Sequence, residues 1–173
     1  MSDFRIARLL PEDAEPYQAL RLRGLREHPE AFTSSFEEDQ ARPLSAALTR
    51  IAHSPDLPHD AFFGAWKDQQ LLGVVGVQGR YRKKERHTAT VVGTFVAPEL
   101  RGQGAGSALM AVLLAHARAC QELMQLDLTV TEGNDHARRL YERFGFEAWG
   151  VYPNAVLAGE AFAGKVHMVL RLR

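Results

Sequence analysis

Gly102, Gly104 and Gly106 stand at alternate positions in the run Val96-Ala97-Pro98-Glu99-Leu100-Arg101-Gly102-Gln103-Gly104-Ala105-Gly106-Ser107. The run follows a strand-like segment and opens into an alanine-rich stretch of helical period. Without side chains at that junction, backbone N–H groups can converge at a helix N-terminus. Unpaired amide donors and the helix dipole both favour an anion there, so the chemistry on offer is the seating of a phosphate or pyrophosphate.

The spacing narrows the choice of ligand. A P-loop needs a lysine after the glycines, and Ser107 and Ala108 stand there instead. The dinucleotide fingerprint needs G-x-G-x-x-G, whereas this run reads G-x-G-x-G and follows Pro-Glu-Leu-Arg. Asp127 would be the ribose-binding acid of that reading, yet three antiparallel-looking strands precede the glycines where a βαβ unit belongs.

The elements that must position the run follow from periodicity. Phe4 to Leu9 alternates as a first strand, and Pro11-Glu12-Asp13 starts a helix reaching Glu27 before His28-Pro29. Residues 29–58 are irregular apart from a second helix starting near Pro43. Ala61 to Lys67 and Leu71 to Arg80 form two strands joined across Asp68-Gln69-Gln70. His87 to Val96 is a fourth strand whose Gly93 marks a bulge or a close backbone approach. The helix after the glycines runs to about Ala119, with Leu109, Val112, Leu113, His116 and Cys120 on one face. Gln125 to Thr131 is a fifth strand, and Asn134 to Phe144 is a short helix closed by Gly145. Glu147 to Tyr152 and Lys165 to Arg173 complete the sheet, giving the order βααβββαβαββ and a mixed α/β class.

Composition sets the outer bounds. The 173 residues suit one domain, 1–173, and 46% hydrophobic residues is ordinary for a globular chain. Lysine plus arginine equals aspartate plus glutamate, 21 each, which speaks against a nucleic-acid partner. One cysteine, Cys120, excludes an internal disulfide. No apolar run approaches membrane-spanning length and the start of the chain lacks a signal-like apolar stretch, so a cytoplasmic protein with no membrane partner is expected. His53, His59 and Asp60 match no metal-ligand spacing, and no metal site is expected.

Two motifs together carry a resemblance. Arg101-Gly102-Gln103-Gly104-Ala105-Gly106 is similar to the acetyl-CoA signature [QR]-x-x-G-x-[GA] of the GCN5-related N-acetyltransferases. About thirty residues later, Asn134-Asp135-His136-Ala137-Arg138-Arg139-Leu140-Tyr141-Glu142-Arg143-Phe144-Gly145-Phe146 resembles the same family's N-x-x-A-x-x-L-Y-x-x-x-G-F motif. The resemblance implies the acyl-CoA N-acyltransferase fold, a seven-stranded, mostly antiparallel twisted sheet flanked by helices. It implies acetyl-CoA as cosubstrate, with pyrophosphate on Arg101, Gly102, Gln103, Gly104, Ala105, Gly106 and Ser107. Pantetheine would lie between the fourth and fifth strands against Thr94, Phe95 and Val96, with Asn134 and Ala137 nearby.

By the same resemblance Tyr141 protonates the departing CoA thiolate, a sensible task for a phenol of pKa about 10 against a thiol near 8.5. Asn134 and Tyr141 are seven apart, two helical turns, and project from one face. The implied reaction is direct attack of a primary amine on acetyl-CoA in a ternary complex; a non-catalytic CoA-binding module is the alternative.

The base is harder to find. Family positions on the fourth strand map to Thr90 and Val92, and one on the fifth to Thr129, none of which accepts a proton. Glu38 is the leading candidate, with Glu37, His87, His167 and bulk water left open. An α-amino group near pKa 8 needs less help than a lysine near 10.4. Phe32, Phe36, Glu37 and Tyr152 are expected to line the acceptor pocket, which would take a small-molecule or peptide amine. The basic loop Arg80 to Arg86 reads as a solvated tip, and the family resemblance permits a homodimer.

Overall fold

Strand alternation and helical amphipathicity sort the chain into a sheet with two unlike faces. A computed structural model describes residues 3–52, 54 and 56–173. His53 lies outside the described residues. The elements run β1 (Arg5–Arg8), α1 (Ala14–Glu27), α2 (Phe36–Gln40), α3 (Leu44–Ile51), β2 (Ala61–Lys67), β3 (Gln70–Gly79), β4 (Thr88–Val96), α4 (Ala105–Ala119), β5 (Gln125–Thr131), α5 (Asp135–Arg143), β6 (Glu147–Ala158) and β7 (Ala161–Arg171). They form a seven-stranded sheet in the order β1-β2-β3-β4-β5-β7-β6. The β4–β5 pair is parallel and the other pairs are antiparallel, which agrees with the expected mixed, mostly antiparallel sheet.

Beyond shifts of one or two residues at element ends, the elements differ from the sequence reading mainly in the following places, each for a local reason. Pro11–Asp13 is a 3-10 turn, so the regular first helix starts at Ala14. The helix α2 was not anticipated, because five residues are too few to show a helical period. Asp68 and Gln69 both take positive φ, 47° and 65°, so the β2–β3 hairpin closes on two residues and β3 starts at Gln70. β6 continues to Ala158 rather than Tyr152, and β7 begins at Ala161 rather than Lys165. A wide bulge hides this continuation: Pro153, Asn154 and Ala155 stand opposite Gly164, between the pairs Tyr152↔Lys165 and Val156↔Ala163.

One face of the sheet packs on α4. Leu109, Met110 and Leu113 are fully buried there, with Phe63, Ala65, Val75, Val77 and Ala89 opposite. Phe63 meets His116 of α4 edge-on at 5.6 Å, and each such buried side chain contributes about 2 kcal/mol. The opposite face of β2–β4 packs on α1, where Tyr17 stacks edge-on against Phe62 at 5.6 Å and Gly24 lies against Phe95. The same face of β5, β7 and β6 is covered differently: the short turn Pro29–Ala31 after α1 lies across β5 and β6. That half-roofed surface is the part of the sheet on which a second reactant can rest.

Candidate active site

The sheet is split at its centre. β4 and β5 pair through Thr88↔Gln125, Ala89↔Leu126 and Thr90↔Asp127, and beyond that point they diverge. The cause lies in β4. Val92 pairs with Gly76 and Phe95 with Val74, so Gly93 and Thr94 share the place opposite Val75, and Gly93 takes a φ of 64°. The bulge turns the end of β4 away from β5 and leaves its backbone edge at Thr94, Phe95 and Val96 without a strand partner. An extended polar arm can add to such an edge as a strand would.

The glycine run forms the mouth of this gap. Gly102 and Gly104 take φ of 72° and 82°, and a Cβ added at either would meet nothing within 4 Å. The glycines are therefore needed for conformation, and the space above them is open. Gly104 caps α4, and the first helical bond is Ala108 N–H to the Gly104 carbonyl at 2.9 Å. The amides of Gly102, Gly104, Ala105, Gly106 and Ser107 have no acceptor among the described residues. The Arg101 and Gln103 amides are engaged in turns, donating to Pro98 and Leu100. The Arg101 guanidinium bonds the Val96 carbonyl at 3.1 Å and His28 at 2.7 Å. Five amides of the run are thus unpartnered, and those of Arg101 and Gln103 are engaged in the turn that leads into them.

The loop is anchored to α1 as well. Arg23 grips the Glu99 carboxylate at 2.8 and 3.1 Å, which holds that carboxyl below its ordinary pKa range. Gln103 closes the turn on the Glu99 carbonyl at 2.6 Å.

Across the gap stands α5. Asn134 caps it, accepting from the Ala137 amide at 3.2 Å, and its own N–H donates to the Thr131 carbonyl at the end of β5. Tyr141 is buried two turns on, edge-on to Phe146 at 6.0 Å. Burial pushes its phenol above the ordinary tyrosine value, and the nearby Thr94 side chain partly opposes this. Thr94 belongs to the bulge of β4, so the protonated Tyr141 hydroxyl lies beside the gap.

The expected acceptor residues are dispersed. Phe32 packs on Phe95 at 6.2 Å beneath the Arg21 guanidinium. Phe36 is covered by Arg26, 4.6 Å from its ring centroid, and Glu37 faces solvent. Glu38 is exposed and forms the capping box of α2: its carboxylate accepts from the Ser35 amide at 2.9 Å while the Ser35 hydroxyl accepts from the Glu38 amide at 3.1 Å. The structure gives Glu38 a helix-capping task that the sequence reading did not foresee. His87 sits at the closed end of the β4–β5 pair, where its carbonyl accepts from Met124 and Gln125. His167 lies on β7 opposite Thr129, its ring 5.3 Å from that of Trp149. Tyr152 is exposed on β6 opposite Lys165.

Three features were missed. Asp39, buried behind α1, is bridged by Arg21 and Arg42 and pins α2 under the Phe32 segment. Asp127 accepts from the Thr90 hydroxyl at 2.7 Å and pairs with Arg80 at 3.1 Å, so Arg80 is anchored rather than free at the loop tip. Lys165 is buried on β7 with its ammonium 2.8 Å from the Thr131 hydroxyl. Nothing in the sequence marks these, because each depends on segments far apart in the chain. Thr90 and Val92 border an open cleft with Gln78, Gly79 and Arg80.

A splayed parallel strand pair with a glycine-capped helix at its mouth defines a CoA-dependent acyltransferase fold. The match to the model of the Acetyltransferase (GNAT) family extends over residues 22–146, and the chain belongs to that family. It is 30% identical over 143 residues to a phosphinothricin N-acetyltransferase of Streptomyces coelicolor, covering 82% of this chain and 80% of that one. A mycothiol acetyltransferase of Thermobispora bispora is 33% identical over 141 residues, 80% of this chain, and the match spans only 44% of that relative's length. Among solved structures, a Salmonella typhimurium acetyltransferase (yncA) with its cofactor acetyl-CoA superposes with a TM-score of 0.85 at 18% identity, covering 99% of this chain and 95% of that one.

Proposed function

We propose that the protein transfers the acetyl group of acetyl-CoA to a primary amine by direct attack within a ternary complex. The observation that carries this reading is the gap between β4 and β5, with free amides at one end and the Tyr141 hydroxyl beside it. Acetyl-CoA places its pyrophosphate on the amides of Gly102 and Gly104 to Ser107, and its pantetheine arm along Thr94, Phe95 and Val96. Asn134 and Ala137 hold the opposite wall through the α5 cap. The thioester then reaches the divergence point near Val92, on the sheet face shared with Thr129 and His167.

The amine enters from the half-roofed face between the Phe32 segment and Tyr152. It attacks as the neutral amine, the C–N bond forms as the C–S bond breaks, and Tyr141 donates its proton to the departing sulfur. Burial keeps the hydroxyl protonated throughout the working range, so a donor always stands beside the sulfur. Because a thiol near 8.5 is the stronger acid, the phenol donates only as charge builds on the sulfur in the breaking C–S bond, and any phenolate formed recovers its proton from water. The ammonium proton leaves through His167 or through water on that floor, with Glu38 occupied at the α2 cap. A small-molecule amine fits this cleft, and the named phosphinothricin N-acetyltransferase relative supports an amine acceptor. Trp149, Val151 and Tyr152 of edge strand β6 are exposed and support a homodimer through that edge. One free thiol and use of acetyl-CoA fit the cytoplasm.

Amine-dependent release of CoA thiol from acetyl-CoA, measured over a panel of amines, tests the proposal. Release with at least one amine, greatly reduced by Tyr141→Phe, is expected. Acetyl-CoA binding without release for any amine would overturn it.

A further inference from the structure

Lys165 is unusual for a buried cation. It is 8% exposed, its one hydrogen-bond partner is the neutral Thr131 hydroxyl at 2.8 Å, and no carboxylate forms an ion pair with it among the described residues. Burial alone pushes its ammonium below the ordinary lysine value, with no acidic neighbour to offset the effect. The carboxylate of Glu132, next in the chain to Thr131, is engaged with the Gly164 amide at 3.0 Å. A charge in such a place is costly unless something pairs with it, and the described residues do not supply the pair.

Position indicates what does. Lys165 pairs with Thr131 on one side and Tyr152 on the other, so the three share one sheet face. That face also carries Thr129 and His167, and it is the face crossed by the turn Pro29–Ala31. Thr131 ends β5, the strand that borders the gap, and the bulge at Pro153, Asn154 and Ala155 opens β6 directly beside Lys165. The cation therefore lies on the floor of the acceptor side, one strand from the gap, with two of its three N–H donors unassigned.

We infer that Lys165 seats an anionic group of the acceptor, so that the acceptor is an amine that also bears a carboxylate or a comparable oxyanion. The inference rests on the acetyltransferase reading of the same site. One donor of the lysine goes to Thr131. When the acceptor enters, its oxyanion takes the remaining donors, while the amine at the other end of the molecule points toward the thioester. A charge-assisted bond in a sheltered site has the strength to orient a small molecule in this way. Lys165 is accordingly a substrate-binding residue and takes no part in proton transfer.

The test uses matched acceptors, each α-amino acid against its own α-carboxamide, at saturating acetyl-CoA. The carboxamide keeps the amine and side chain and removes only the anion. Its amine is also the less basic and more readily neutral, so intrinsic reactivity favours it and a preference for the acid must come from the protein. Wild type is expected to favour at least one acid over its carboxamide by tenfold or more in kcat/KM. Lys165→Met should raise KM for that acid by about 30-fold, leave kcat within about twofold, and leave the carboxamide unchanged, while Lys165→Arg keeps the preference for the acid. Preference for carboxamides throughout, or an equal effect of Lys165→Met on both members of a pair, would overturn the inference.

A second readout does not depend on turnover. In protein saturated with CoA, adding the favoured amino acid should shift the NMR resonance of the Lys165 Cε. If no amino acid of the set moves it, the inference fails. Failure of the acetyltransferase reading looks different: no amine of any charge then releases thiol.

Discussion

The two ends of the proposed cleft are built in opposite ways. The proposed donor end is made of backbone: five unpartnered amides at and before the start of α4, and the free edge of β4 that the Gly93 bulge creates. The proposed acceptor end is made of side chains from distant segments: Phe32 after α1, His167 and Lys165 on β7, and Tyr152 on β6. A backbone site requires particular φ values and the absence of side chains, so few substitutions are tolerated. A side-chain site requires only that the sheet deliver some polar group to a given face, so its chemistry can change without disturbing the fold. The same scaffold can thus hold one donor and vary its acceptor.

The largest effect should come from breaking the donor end. Gly104→Val forces a β-branched residue to a φ of 82°, a strain of about 1–2 kcal/mol before any ligand is considered, and puts a side chain into the open space above the amides. Isothermal titration should then show acetyl-CoA affinity reduced at least a hundredfold, while the thermal midpoint falls by only a few degrees. Tyr141→Phe comes next. Turnover should fall by about 10²–10³-fold with the Kd for acetyl-CoA within about twofold of wild type, a split that a purely packing role would not produce.

Tyr141 also sets an expectation in pH. Its folded pKa lies above the ordinary 10, so the phenol keeps its proton as pH rises to that value, and the basic side of the kcat profile should stay flat to about pH 10. A loss of kcat with an apparent pKa near 8 or 9 that disappears in Tyr141→Phe would contradict the assigned role.

At the acceptor end, Asp39→Asn leaves Arg21 without its buried partner and frees α2 from α1. Denaturant unfolding should show a loss of about 3 kcal/mol, and KM for the amine should rise more than KM for acetyl-CoA. The smallest effect belongs to Ser35→Ala. It removes the hydroxyl that caps α2, costs about 1 kcal/mol, and releases the Glu38 carboxylate from its helix-capping geometry without reducing kcat. A large fall in kcat in this variant would restore Glu38 as a candidate base.

This asymmetry also explains what could be read from the amino-acid sequence. Gln125 to Thr131, with its clean alternation, was legible to the residue, and the helix ending at Ala119 was legible apart from its start. The glycine-capped entry to that helix was legible as well, because glycines at fixed offsets leave a mark in one dimension. The bulge at Pro153, Asn154 and Ala155 was not legible, since it breaks the alternation by which a strand is recognised. Lys165 in isolation looks like a solvent-facing lysine on an outer strand; in the fold it is a buried cation bonded to Thr131 of the neighbouring strand. Glu38 shows the converse. The spacing Ser35 to Glu38 is a capping-box pattern, yet in a stretch read as loop there was no helix for it to cap.

The central claim is that acetyl-CoA lies in the gap between β4 and β5 with its pyrophosphate on the start of α4. Amide NMR shifts during a titration with CoA test it most directly. The account expects the largest shifts at Gly102 and at Gly104 to Ser107, with a second group along Val92 to Val96. Saturable binding of CoA that leaves those amides unmoved and shifts others would contradict it.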